Sequence, residues 1–224
     1  MLILAADTSG KNGSLALARV TAGRPDVEVI EVVPLTGGAF SAQMVPQISA
    51  LLAKHGYNKS DLGGLAVVSG PGSFTGLRVG LAAIKALAEA LRIPIATVSL
   101  LEAVARLFPS EGRIVAALDA GRNEVYFGDY EAGAHLNVYS ERLLTQAEFI
   151  EASKGKILVT PDPAVANIAR GTGIEIHEIP YPQTDVIARL GWARMLRGET
   201  VPPEALDANY IRRSDAEIFS PPKA

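Results

Sequence analysis

The chain opens on an unbroken apolar run, Leu2 to Ala6, stopped by the polar, glycine-containing stretch Asp7-Thr8-Ser9-Gly10-Lys11-Asn12-Gly13, after which Ser14 to Val20 is largely apolar again. Two short apolar runs about such a turn predict a β-hairpin, and Val27 to Val33 predicts a third strand. From Ser41 to Lys54 the period changes. Met44, Ile48, Leu51 and Leu52 share one face of a helix, with Pro46 expected near its first turn, where a missing amide is tolerated. Leu65 to Val68 reads as a buried strand, Leu77 to Arg92 as a helix, Ile95 to Val98 as a strand and Leu100 to Leu107 as a helix.

The second half begins in the same way. Arg113 to Leu118 is a strand ending in Asp119, followed by the turn Ala120-Gly121-Arg122-Asn123 and a strand from Glu124 to Tyr130. After a loop around Gly133 the pattern predicts a helix over Leu143 to Ala152, a strand over Lys156 to Thr160, a helix over Ala164 to Arg170 and a strand over Ile174 to Ile179, stopped by Pro180 and Pro182. Thr184 to Arg197 is an amphipathic helix, and the tail from Val201 is expected to be irregular apart from Ala208 to Arg212. Asp7 and Asp119 close the two apolar openings half a chain apart. With the alternation of strands and helices, this predicts an α/β protein of two topologically similar lobes, 1–108 and 109–224, related by duplication.

A chain of 224 residues is long enough to bury on the order of 70% of its unfolded surface without a disulfide or metal. It has no cysteine, which excludes thiol nucleophiles, cysteine zinc sites and iron–sulfur clusters. Met1 to Ala6 is too short for a signal sequence, and no stretch reaches the ~20 apolar residues of a membrane span, so the expectation is a cytoplasmic protein with no membrane contact. The net charge of −3 is the wrong sign for a surface that tracks a phosphate backbone by itself. Any nucleic acid would need a basic partner. Hydrophobic residues make up 48% of the chain and charged ones 20%, which leaves room for apolar surface that one copy does not hide.

Two segments could carry chemistry. Val68 to Gly80, VSGPGSFTGLRVG, has the strand, glycine-rich loop and helix order that points backbone amides at an anion. It lacks the lysine of a P-loop, has Thr75 where a dinucleotide fingerprint needs its third small residue, and does not match a nucleophile elbow. A tight turn using Gly70, Gly72 and Gly76 is the plain alternative. Asp7-Thr8-Ser9 is a candidate nucleotide site, since an acid and hydroxyls at a strand end are how actin-, hexokinase- and Hsp70-like proteins meet a phosphate and its Mg²⁺; ordinary turn residues are the alternative. The three histidines, His55, His135 and His177, show no metal-ligand spacing, and pairs such as Glu28 and Glu31 or Glu175 and Glu178 read as solvated positions.

The helices around these segments are short of charge. Ser41 to Ala53 contains no charged residue, and on the next helix Arg78, Lys85, Glu89 and Arg92 form one narrow stripe. Ala50, Ala53, Ala82, Ala83 and Ala86 would let another helix approach closely. Either both helices are sandwiched within the fold or they form a subunit interface, and the expected interface is Met44, Ile48, Leu51, Arg78, Val79, Ala82, Ala83 and Ala86.

Asp7-Thr8-Ser9, Gly70-Pro71-Gly72-Ser73-Phe74-Thr75-Gly76-Leu77-Arg78-Val79-Gly80, Ile93-Pro94, Val98-Ser99-Leu100-Leu101-Glu102-Ala103 and Ala117-Leu118-Asp119-Ala120-Gly121-Arg122-Asn123-Glu124-Val125-Tyr126 together resemble the bacterial TsaB (YeaZ) family. The resemblance spans roughly residues 2–130, with a weaker echo at Asn209-Tyr210-Ile211-Arg212. It implies a duplicated actin/hexokinase/Hsp70-like (ASKHA) fold of two ribonuclease-H-like lobes. It also implies a non-catalytic part in forming N6-threonylcarbamoyladenosine beside the anticodon of tRNAs that read codons starting with adenine. The implied partners are a TsaD-like catalytic subunit and a TsaE-like ATPase, with tRNA met through the complex and a homodimer when the chain is alone. No cofactor is required by this chain, while ATP or ADP and Mg²⁺ belong to the complex. The catalytic relative carries an H-x-x-x-H metal pair where this chain has Leu100 and Val104, neither a metal ligand. Where the family often has His-Ser-Glu, this chain has Phe40-Ser41-Ala42. The competing expectation is a free-standing nucleotide-dependent phosphotransferase of the actin/hexokinase superfamily acting through Asp7 or Asp119; a peptidase is disfavoured by the lack of a nucleophile or metal motif.

Overall fold

The computed structural model describes residues 1–36, 39–133 and 136–211. Strands β1 (Leu2–Asp7), β2 (Gly13–Val20) and β3 (Val27–Leu35) form an antiparallel meander, and β4 (Leu62–Gly70) and β5 (Ile95–Ser99) add to the other edge of β1 in parallel, giving the order β3-β2-β1-β4-β5. The second sheet repeats the plan. Antiparallel β6 (Gly112–Gly121), β7 (Glu124–Ala132) and β8 (Asn137–Thr145) are extended from β6 by parallel β9 (Ile157–Thr160) and β10 (Glu175–Glu178). The duplication expected from the Asp7 and Asp119 openings is thus present strand for strand. Parallel connections need crossovers, here α1 (Phe40–Lys54), α2 (Phe74–Leu91), α4 (Gln146–Ser153) and α5 (Pro163–Ala169), while α3 (Leu100–Arg106) follows β5 and α6 (Thr184–Leu196) follows β10.

Among the described residues the contacts divide the chain into one unit of residues 1–103 and 181–208 and another of 104–180 with 209–211. This corrects the expected division at 108/109, because α6 packs on the first sheet. The reason lies in its sequence: Ile187, Ala188 and Trp192 are buried, and Gly191 lets the helix settle onto Ala66 of β4. Polar ties hold it there. The Trp192 indole donates to the carbonyl of Arg24 at 2.7 Å, Arg189 to that of Val27 at 2.9 Å, and Arg194 donates to the carbonyl of Thr97 and pairs with buried Glu102. With α1, α2 and α6 all packed on this sheet, β1 and β4 are buried nearly throughout, which is why both read as continuous apolar runs.

Two further expectations need correction. The helix expected from Leu143 begins at Gln146, because Leu143 and Leu144 belong to β8, a strand that the sequence pattern does not predict. Thr145 marks the boundary: its hydroxyl accepts from the Glu148 amide at 3.4 Å while the Glu148 carboxylate accepts from the Thr145 amide at 2.9 Å, a capping box. Pro46 lies in the second turn of α1 rather than its first. Pro46 and Ala42, whose carbonyl loses its helical donor, are both exposed, so water can serve that carbonyl.

The second unit is built around Val115, Ala117, Phe127, Phe149, Leu158 and Val165, with Phe127 and Phe149 packed edge to face at 6.5 Å. At its margin, Asp129 is 5% exposed and accepts from Arg113 at 3.1 and 2.6 Å and from Lys156 at 2.8 Å. Burial pushes this carboxyl up, but Arg113 and Lys156 outweigh it and hold the group below its ordinary 3.8. A folded-state value below the unfolded one stabilises the fold fully above the unfolded value, and that contribution disappears as pH falls through the folded value. Asp129→Asn is therefore expected to cost about 3 kcal/mol at neutral pH and to flatten the loss of stability below about pH 4, as read by urea unfolding across a pH series.

Candidate functional site

Where β4 ends, Gly70-Pro71-Gly72 turns the chain through a cis Gly70–Pro71 peptide, and Ser73 caps α2 with its hydroxyl accepting from the Gly76 amide at 3.3 Å. The turn between β1 and β2 lies against this helix start. The Ser9 carbonyl accepts from the Ser73 amide at 2.6 Å, and the Thr8 hydroxyl donates to the Gly76 carbonyl at 2.8 Å. A Cβ on Gly76 would stand 2.1 Å from the Thr8 carbonyl oxygen, and one on Gly80 would stand 2.2 Å from the Thr8 hydroxyl oxygen. Carbon and oxygen do not approach so closely. Gly76 and Gly80, one turn of α2 apart, and Gly72 in the loop before it, whose Cβ would meet the Ser9 carbonyl at 2.5 Å, form a groove that receives Thr8 and Ser9.

Asp7 braces the turn from within. Its Oδ1 accepts from the Ser9 amide at 2.8 Å and the Ser9 hydroxyl at 2.6 Å. Burial pushes the carboxyl above its ordinary 3.8, and the two bonds from Ser9 oppose that rise without cancelling it. Thr8 and Ser9 are 2% and 4% exposed. Asp7, Thr8 and Ser9, the three nucleotide-site candidates, thus all take part in a packed turn. Asp119 repeats the device in the second unit, accepting from the Gly121 amide at 2.8 Å, while its own amide donates to Asp162 at 2.7 Å.

The same hairpin reaches α1. Gly13 sits against the Phe40 ring, where an added Cβ would meet the ring at 3.0 Å, and a cleft of about 300 Å³ runs between the turn and the starts of both helices, lined by Gly10, Lys11, Phe40, Ser41, Ser73, Thr75, Gly76 and Val79. In this chain Phe40 is thus a buried wedge at the start of α1.

Of the expected interface residues, Met44, Ile48 and Leu51 are 1%, 7% and 2% exposed and belong to the core of their own unit. This is a correction with a simple cause: the apolar stripe of a helix turns toward its own sheet. The outward stripe of α1 is Ala42, Val45, Pro46, Ser49, Ala50 and Ala53, which repeats at helical spacing without one charge, and Val45 is 65% exposed. On α2, packed beside α1, the matching stripe carries exposed Arg78, Ala82, Ala86 and Ala90 with half-buried Val79 and Ala83. Arg78 lies over the Phe74 ring, 3.7 Å from its centroid. Alanines and a proline score as weakly apolar, so only the absence of charge could have marked the α1 half of this face.

The other candidates fall into ordinary surroundings. His55 contacts Glu31 at 2.7 Å and His177 contacts Glu175 at 2.7 Å, while Glu28 pairs with Arg19 and Glu178 with Arg170. His135 and Arg212 lie outside the described residues. Asn209, from the weaker motif near the C-terminus, donates to Glu141 at 3.3 Å. Leu100 and Val104, the two positions where the resemblance places the relative's metal pair, are 5% and 0% exposed. Among the described residues no helix is long and apolar enough to cross a membrane.

The tRNA threonylcarbamoyladenosine biosynthesis protein TsaB of Escherichia coli is 33% identical over 229 residues, covering 96% of each chain. The chain belongs to the TsaB family. The Bacillus subtilis TsaB protein is 35% identical over 161 residues, 70% of this chain and 67% of that protein. The family model for TsaD, tRNA N6-adenosine threonylcarbamoyltransferase, matches residues 32–193 of this chain. The structure of YeaZ from Pseudomonas aeruginosa matches with a TM-score of 0.74 at 24% identity, covering 93% of this chain and 99% of that one. The fold shared with that structure is two α/β lobes of matching strand order, consistent with the expected duplicated ASKHA, ribonuclease-H-like arrangement.

Proposed function

We propose that this chain is the non-catalytic TsaB subunit in the formation of N6-threonylcarbamoyladenosine on tRNA, and that it acts by docking a TsaD-like catalytic subunit on the outward face of α1 and α2. The names of the E. coli and B. subtilis relatives support the pathway. The observation that carries the docking role is the charge-free stripe of α1 beside the alanine stripe of α2: an exposed face of small apolar side chains suits close helix-to-helix contact. Buried Leu100 and Val104 support the non-catalytic part of the reading. On this reading the chain needs no cofactor of its own, ATP or ADP with Mg²⁺ belongs to the complex and its TsaE-like ATPase, tRNA is met through the partners, and the same face closes a homodimer when the chain is alone.

Size-exclusion chromatography with light scattering, on the chain alone and mixed with a TsaD-like protein from the same source, tests this. A dimer that converts to a mixed complex, with tRNA modification only in the mixed fraction, is the expected result. A chain that ignores that protein and turns over ATP unaided would instead be a phosphotransferase acting through Asp7.

A further inference from the structure

We propose that Thr8 is a positioning residue for partner binding: the Asp7-Thr8-Ser9 turn is the seat that sets the height and register of α2 beside α1, so that the two outward stripes form one docking face. The proposal rests on the docking reading above and adds to it the part of the chain that builds the face.

The contact is unusually one-sided. Thr8 meets α2 at three places: its carbonyl oxygen fills the space a Cβ of Gly76 would take, its side chain fills that of Gly80, and its hydroxyl donates to the Gly76 carbonyl. Ser9 adds the bond from the Ser73 amide, and Asp7 holds Ser9 by two further bonds. A helix held by ridge-and-groove packing alone can slide or lift by fractions of an ångström. Here a hydrogen bond fixes the axial register, and the missing Cβ atoms fix the height. Gly13, at the far end of the same hairpin turn, admits the Phe40 ring, so the hairpin touches the starts of both helices. Ala82, Ala83 and Ala86 lie beyond Gly80 on the same rigid helix, and a shift at its start is carried to all of them.

Contact through alanines has no long side chains to absorb such a shift, so small displacements of α2 translate directly into lost packing with a partner. This makes Thr8 a position where shape and hydroxyl have separable effects. Thr8→Val keeps the shape and removes the donor; Thr8→Ser keeps the donor and removes a methyl.

The test measures affinity for the TsaD-like protein and hydrogen exchange of the α2 amides in the free chain. Thr8→Val is expected to weaken binding about tenfold and to raise α2 exchange, whereas Thr8→Ser stays within about threefold of the parent. Gly80→Ala should weaken binding as well, since it drives the helix off the Thr8 side chain. Combining Gly80→Ala with Thr8→Ala relieves that overlap, so the double variant should lose less affinity than the two single losses multiplied together. Ala86→Glu serves as the reference for the face itself. If Ala86→Glu abolishes binding while Thr8→Val and Gly80→Ala bind as the parent does, the positioning role is wrong and the docking face stands. If Ala86→Glu also binds normally, the face reading fails and this proposal with it. Should Gly80→Ala not fold, the Val and Ser variants of Thr8 decide alone.

Discussion

Replacing Ala86 by glutamate is expected to abolish association with a TsaD-like protein while leaving the thermal unfolding of the chain unchanged. Ala86 is exposed on α2, amid Ala82, Ala83 and Ala90, so a longer side chain there meets nothing in its own unit. In a helix contact closed over alanines, the carboxylate would be removed from water without a partner, a cost of about 3–5 kcal/mol, or a few hundredfold or more in affinity. Light scattering on the mixture reads the association and circular dichroism the fold. Ile48→Ala provides the contrast. That side chain is 7% exposed inside the unit, so its truncation should cost about 2–4 kcal/mol of stability with a smaller effect on binding. A folded Ala86→Glu chain that still enters the complex would show that the partner sits elsewhere.

Gly191→Ala is expected to destabilise the first unit by about 2–3 kcal/mol despite improving helix propensity. An added Cβ would stand 2.3 Å from the Cβ of Ala66, in the middle of a sheet with no room to yield. The helix must lift, and lifting it strains the bonds of Trp192 to Arg24 and of Arg194 to Thr97 and Glu102. Trp192 is the single tryptophan of the chain, so its fluorescence follows α6 directly during urea unfolding. Adding Ala66→Gly should recover much of the loss in height while leaving the cost of a glycine in the strand. An unchanged urea midpoint for Gly191→Ala would mean that α6 is held less closely than the packing implies.

Much of the strand order was legible because β1, β4 and β6 are buried on both sides and show as apolar runs, while the Asp7 and Asp119 turns mark the same point in each half. β8 was not. Val138 and Tyr139 are exposed on it, 53% and 59%, so its alternation does not separate a wet side from a dry one. Thr145 and Glu148 have the spacing of a capping box and mark where the helix starts, but the apolar pair Leu143-Leu144 just before them reads equally well as its first turn. At the candidate site, hydrophobic periodicity picked Met44, Ile48 and Leu51 because it selects the side a helix turns inward; the outward alanines left only a lack of charge as a trace. The spacing of Gly72, Gly76 and Gly80 was plain in the sequence, but what it faces was not. Only the fold brings Thr8, far away in the chain, into that groove.

The return of α6 to the first sheet has a consequence for how the chain is made. As the protein leaves the ribosome, residues 104–180 emerge before the helix that covers β1, β2 and β4, so the first sheet is synthesised early and completed last. Through that interval its apolar strands lack one of their covers, whereas β6 to β10 gain α4 and α5 from within their own stretch of chain. The earlier-made half is therefore the later to finish, and the nascent chain is most exposed to wrong contacts just before Thr184 to Leu196 appears.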